Sequence, residues 1–343
     1  MDIEELKDKI SNYNGKPIRI MEVCGTHTHE IFRLGVRSLL PANIKLISGP
    51  GCPVCVTPVS FIDEAIYLAE KGVTIFTFGD LVRVPGSKEN LRDKRSEGAK
   101  VEVVYSPLDA LEYAKNHKEE EVVFLSVGFE TTTPSSCIAL KQAEKECATN
   151  FSLLTANKTM DEAYLTMAGS ADAYLYPGHV SAITGTEKLE ELTKKGVSGV
   201  VTGFTAKEIL NAIYIIIEET KKGSPFFENA YKSVVKREGN PNAMKLVEHY
   251  MKPIDAEWRG IGILKNSGLV LKDEFKHFDA RKKFNMPKIE GKPNPACRCG
   301  DVLRGNIEPN DCPLFGKVCA TDSPVGACMV SSEGACAAFY QYG

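Results

Sequence analysis

Short apolar runs alternate with stretches in which apolar residues recur every three or four positions. The runs Ile18–Val23, Lys45–Ser48, Thr74–Phe78, Val101–Tyr105, Val122–Val127, Phe151–Thr155 and Gly199–Thr202 are rich in β-branched and aromatic residues and predict strands. Ala173–Tyr176 adds a further short candidate. The amphipathic stretches Val59–Lys71, Leu108–His117, Ser135–Cys147 and Ala206–Lys222 predict helices between them. Alternation of this kind implies βαβ units and an α/β fold with mostly parallel sheets. A charged break at Lys118–Glu121 divides the pattern into two α/β lobes facing a cleft, expected at residues 1–120 and 121–250. From about Gly239 the chain turns rich in Pro, Gly and charge and leads into a cysteine-rich module, expected over 251–343.

Length and composition narrow the function classes. At 343 residues the chain exceeds one ordinary core, so two or three domains are the default. Hydrophobic content of 43% and charged content of 25% are those of a globular protein. A net charge of −3, without a basic stripe interleaved with aromatics, gives no sign of a nucleic-acid partner. The most apolar helical stretch, Ile209–Ile217, is interrupted by Asn211, ends at Glu218-Glu219 and is too short to span a bilayer. The first nine residues, Met1–Lys9, are charged and show no apolar signal core, so a soluble cytoplasmic protein is expected, monomeric on its own.

Candidate chemistry sits where predicted strands end, which is where ligands bind in parallel α/β sheets. Cys24-Gly-Thr-His27-Thr-His29 follows the first strand. A thiol with two imidazoles offers ligands suited to iron, copper or zinc, and a helix starting near Thr28 would lower the thiol pKa. The plainer reading is a buried cysteine beside surface histidines. Gly49-Pro-Gly-Cys52-Pro-Val-Cys55 lies after the second strand. Cys-X-X-Cys at a helix start suits a redox dithiol or a thiolate metal site; half of a zinc site is the alternative, but the chain has no second such pair. Gly128-Phe-Glu130-Thr-Thr-Thr133-Pro134 offers a carboxylate and hydroxyls, with Thr133 also reading as a helix N-cap. His179, in Tyr176-Pro-Gly-His-Val-Ser, is a candidate base or a merely structural histidine.

Six of the eleven cysteines crowd into the last stretch of chain, at Cys297, Cys299, Cys312, Cys319, Cys328 and Cys336. Reduced clustered cysteines are more often metal ligands or catalytic than structural bridges. The spacing Cys299-X12-Cys312-X6-Cys319-X16-Cys336 lacks the close pairs typical of zinc sites, and no histidine lies in the module. Widely spaced thiolates with Gly300, Gly305, Gly316, Gly326 and Gly334 between them suit a [4Fe–4S] cluster wrapped by loops, with zinc as the alternative. Cys297 and Cys328 are left over, in position for a redox dithiol beside it.

Taken together, Met21-Glu-Val-Cys-Gly-Thr-His-Thr-His, Gly-Pro-Gly-Cys-Pro-Val-Cys, Gly-Phe-Glu-Thr-Thr, Pro-Gly-His-Val-Ser and Pro324-Val-Gly-Ala-Cys-Met-Val-Ser-Ser-Glu-Gly-Ala-Cys resemble the signatures of the HypD family of hydrogenase maturation factors. The resemblance runs in order across nearly the whole chain. It implies a scaffold that, with the chaperone HypC, assembles the Fe(CN)2CO group of [NiFe]-hydrogenases, with cyanide delivered by HypE. It further implies that Cys24 holds the Fe(II) carrying CN and CO, and that Cys52 and Cys55 form a nearby dithiol. Cys299, Cys312, Cys319 and Cys336 would bind the [4Fe–4S] cluster, with Cys297 and Cys328 as an adjacent thiol pair. His27, His29, Glu130 and His179 would then fix or protonate ligands. Competing classes are an iron–sulfur-dependent thiol–disulfide oxidoreductase and a zinc-stabilised binding scaffold.

Overall fold

A computed structural model describes residues 1–343. Its strands are β1 (Ile18–Glu22), β2 (Ile44–Ser48), β3 (Thr74–Thr77), β4 (Val101–Val103), β5 (Val122–Ser126), β6 (Phe151–Thr155), β7 (Ala173–Pro177), β8 (Gly199–Thr202), β9 (Phe227–Asn229), β10 (Met251–Trp258) and β11 (Gly262–Leu271). They form two parallel sheets, ordered β2-β1-β7-β8-β9 and β4-β3-β5-β6, and a separate antiparallel ribbon β10-β11. The α/β class and the parallel sheets agree with the alternating pattern. Every residue of β5, β6 and β7 is buried, as expected when helices cover both faces of a parallel sheet.

The sheets do not divide the chain at residues 120 and 250. The first sheet takes β1 and β2 from the N-terminus and β7 to β9 from beyond residue 170, while β3 to β6 run through residue 120 within the second. The reason is pairing: Ile20, Met21 and Glu22 of β1 align with Ala173, Tyr174 and Leu175 of β7. A linear sequence pattern carries no signal for that long-range register. The ribbon β10-β11 also replaces the irregular connection expected after Gly239. Its runs of exposed residues and Pro253 masked it, because an exposed charged ribbon lacks the apolar run of a core strand.

Strand order places the candidate motifs. In the first sheet the order reverses between β1 and β7, and in the second between β3 and β5. Loops at such switch points splay apart and leave a crevice at the carboxyl ends of the strands. The loops after β1, β2, β7 and β5 carry Cys24, Cys52 and Cys55, His179, and Glu130 respectively. The ribbon is pinned against them by Trp258, which is fully buried, stacks on Phe129 with ring centroids 5.7 Å apart, and donates its indole N–H to Ser267 Oγ at 2.8 Å. Burying a side chain of this size stabilises the junction by roughly 3 kcal/mol or more.

Candidate metal and thiol site

A crevice of about 460 Å³ lies between the two sheets, lined by Cys24, Gly51, Phe129, Thr132, His179 and Glu333, among others. Cys24 sits directly after β1 and is the N-cap residue of the helix Gly25–Arg33, which begins three residues earlier than the sequence suggested. The backbone of the Gly49–Gly51 loop packs against it: Gly25 N–H donates to Gly51 O at 2.9 Å, and a Cβ at Gly51 would lie 2.2 Å from Cys24 N. Only glycine permits that approach.

The expected lowering of the Cys24 pKa by the helix end does not prevail. Burial drives the thiol up to about 12. N–H groups of His27 and Thr26 and the Thr26 hydroxyl pull it down, while the Glu333 carboxylate pushes it further up. Desolvation of a thiolate outweighs a short helix's dipole here. Left without a metal, Cys24 is a neutral thiol at physiological pH.

The two histidines of the first motif diverge. His27 is buried, donates its Nε2–H to Gly203 O at 2.9 Å, and leaves its buried Nδ1 without a partner. Burial lowers its pKa to about 4, so it is neutral. His27 and His179 lie on the same Phe204 ring, with centroids 4.7 and 4.0 Å from it. His179 is exposed and lines the crevice; His29 instead turns to the C-terminal segment, where Nδ1 meets Ser332 O at 3.1 Å.

Glu130 is placed behind the crevice rather than in its lining. It is buried, accepts from Met160 N–H at 2.8 Å through Oε1, and has no partner at Oε2. Burial, then the charge of Asp161, raises its pKa to about 7. The neighbouring threonines reach the crevice instead, at Thr131 and Thr132. Thr132, not Thr133, holds the N-cap position of the helix Thr133–Lys145, without a side-chain capping bond; the Thr133 hydroxyl donates back to Phe129 O at 2.9 Å.

Cys52 is the N-cap residue of a single helical turn, Pro53–Val56, and Cys55 lies within it; both are buried. Their sulfurs continue a chain of thiols into the C-terminal module. Cys55 neighbours Cys52 on one side and Cys328 on the other. Cys328 in turn meets Cys299 and Cys336, and Cys297 meets Cys299. These contacts, followed by burial, push the Cys55 thiol well up. Cys297 and Cys328, proposed as a pair, both rest on Cys299. All six C-terminal cysteines line one apolar pocket with Leu314, Phe315 and Met329.

That pocket offers six thiols as the residues that could hold a metal centre. No three His, Cys, Asp or Glu side chains in the chain converge tightly enough to grip one metal ion. Its polar lining is sulfur, and Val325 N–H donates to Cys319 Sγ at 3.3 Å, the kind of bond that tunes a cluster thiolate. Cys137 and Cys147 lie away from the site, the first in an aliphatic core and the second exposed.

Two contributors escaped the sequence reading. Glu333 enters the crevice from the far end of the chain and accepts from the Thr26 hydroxyl at 2.6 Å. Its place just before Gly-Ala-Cys336 was the only local hint. Arg259 lies next to the thiol pocket, on a ribbon that was itself not foreseen.

Comparison with known proteins gives a consistent result. The HypD family profile, described as the hydrogenase formation hypA family, matches residues 2–343. A hydrogenase expression/formation protein of Methanocaldococcus jannaschii is 42% identical over 99% of this chain and 97% of its own length. The hydrogenase maturation factors HypD of Azotobacter vinelandii and Escherichia coli are 41% and 39% identical, covering 95% and 99% of this chain and 89% and 94% of theirs. No helix is long and apolar enough to cross a membrane.

Proposed function

Since the chain belongs to the HypD family of hydrogenase maturation factors, we propose that it is the scaffold on which the Fe(CN)2CO group of a [NiFe]-hydrogenase is assembled. HypC is the partner that shares the iron, and HypE the source of cyanide. The observation that carries this reading is that Cys52 and Cys55, in the turn after Gly51 beside Cys24, share one buried cluster with the cysteines of the C-terminal pocket.

Cys24 binds the Fe(II) being assembled. Its thiol gives up its proton to do so, because a metal ligand must be thiolate. A soft thiolate suits iron carrying strong-field CN and CO. His27 is a neutral imidazole with its proton on Nε2, so its free Nδ1 can accept a proton or hydrogen bond. His179 and Glu333, on the crevice wall, orient incoming ligands and exchange protons with them.

Releasing cyanide from a thiocyanate sulfur consumes two electrons: the S–C bond breaks, cyanide leaves with an electron pair for the iron, and the sulfur remains as a thiol. Cys299, Cys312, Cys319 and Cys336 would hold a [4Fe–4S] cluster, which would supply electrons one at a time. The dithiols store two. Cys328 is placed between that cluster's ligands and Cys55, and thiol–disulfide exchange along Cys328, Cys55 and Cys52 carries reducing equivalents toward the crevice.

The test is infrared spectroscopy of the complex with HypC. Wild-type protein is expected to show CN and CO stretches, and Cys24→Ala to show none while keeping its fold. Persistent CN bands in Cys24→Ala would remove Cys24 as the iron ligand.

A further inference from the structure

Of the six buried acidic or basic side chains, Glu22 and Lys94 are in ion pairs, whereas Glu130, Lys158, Asp279 and Arg259 are in none. Arg37 pairs with the fully buried Glu22, Arg281 pairs with Glu64, and Lys94 meets three glutamates. Arg259 has only carbonyls. It is 6% exposed; its Nε donates to Thr57 O at 2.8 Å and one terminal nitrogen reaches Pro85 O at 3.4 Å. No carboxylate answers its charge. Burying a guanidinium without a counter-charge costs several kcal/mol, so its surroundings must return that stabilisation.

Thiols lie near it: Cys299, Cys328, Cys297 and Cys55 are close enough to act on its charge through space. The residue also lies in the wall of a cavity of about 670 Å³ that includes Cys297, Cys299 and Gly326, residues shared with the apolar thiol pocket. Its backbone N–H donates to Val56 O at 2.8 Å, so Arg259 grips the two residues following Cys55 from both main chain and side chain. Cation and Cys-X-X-Cys turn are thereby held as one unit against the pocket.

We infer that Arg259 is the counter-cation of the cysteine pocket, a positioning residue whose fixed charge stabilises the added negative charge when the pocket's redox groups are reduced. The inference rests on the cluster reading above. Reduction adds one electron to a site already rich in thiolate, and a desolvated cation beside it favours that state. The same charge favours the reduced form of the dithiols, because thiolates gain from a neighbouring cation. The three donors left to an arginine after its carbonyl bonds also suit it to sulfur better than a lysine point charge.

The experiment is a redox titration, followed by EPR, of anaerobically purified wild type, Arg259→Gln and Arg259→Lys, with iron and sulfide assayed in each. Loss of the charge in Arg259→Gln is expected to shift the reduction equilibrium about tenfold against the reduced cluster, a fall of about 59 mV for one electron. Arg259→Lys keeps the charge and is expected to stay within about twofold of wild type. An unchanged midpoint in Arg259→Gln, or an equal fall in both variants, overturns the inference, the latter by reducing Arg259 to a structural clamp. Should Arg259→Gln fail to fold, a tenfold fall in Arg259→Lys alone overturns it. If wild type carries no iron and sulfide, the cluster reading is what has failed. The comparison then moves to the thiol–disulfide midpoint in glutathione buffers, where Arg259→Gln is expected to be harder to reduce and equality with wild type overturns the inference.

Discussion

At the scale of single residues, burial decides the chemistry. Cys24 has a thiol driven up to about 12, so at pH 8 only about one chain in ten thousand carries its thiolate. Iodoacetamide should therefore modify the exposed Cys147 far faster than Cys24, measured by peptide mapping; comparable rates would contradict the burial. Glu130 gives a stability prediction. Its folded pKa, raised to about 7, lies above the unfolded value, so its contribution is full below about pH 4.5 and is lost as pH rises through 7. Wild type should lose up to about 3 kcal/mol across that window, whereas Glu130→Gln, still able to accept from Met160 N–H, should have a flatter profile in urea unfolding at pH 5, 6 and 8. Equal slopes would show that Glu130 does not titrate in the fold. The burial of Glu130 left no sign in the sequence, and that of Cys24 was only the plainer of two readings of its motif. The residue types were legible there; the environment that sets their pKa comes from elements far away in the chain.

At the scale of elements, glycine-bearing turns hold the sulfur groups in contact. The Gly49–Gly51 loop presses its backbone on Cys24, and Gly51→Ala would place a methyl 2.2 Å from Cys24 N. That overlap involves backbone on both sides and cannot be relieved by a rotamer change, so a loss of about 1–3 kcal/mol is expected. Calorimetry should show it together with faster alkylation of Cys24; an unperturbed melt would mean the loops can separate cheaply. Most strands and the long helices matched their sequence patterns to within two residues, because period-2 and period-3.6 signals are local. The ribbon β10-β11 did not, since its exposed charged residues mimic a linker. With the ribbon went Arg259 and Trp258, which lock the Cys-X-X-Cys turn and the Phe129 loop in place.

At the scale of the whole molecule, the C-terminal module closes a site built by both sheets. Thr26 and His29 bond to Glu333 and Ser332, and the helices Gly25–Arg33 and Ala335–Tyr342 pack together through Phe32 and Phe339. Sequence motifs announced the ingredients, but the interleaving of β1 and β2 with β7 to β9 brings Cys24 and His179 to one crevice, and no local pattern encodes it. The thiol run predicts separable functions. Cys328→Ser should retain iron and sulfide yet fail to yield cyanide-bearing iron in the HypC complex, read by infrared spectroscopy, because it interrupts the path between the pocket and Cys55. Full cyanide loading in that variant would exclude the relay. The most direct check on the account is the content of iron, zinc and acid-labile sulfide per chain after strictly anaerobic purification. The account predicts about four irons and four sulfides, lost together when Cys319 is replaced by serine; zinc without sulfide would contradict it.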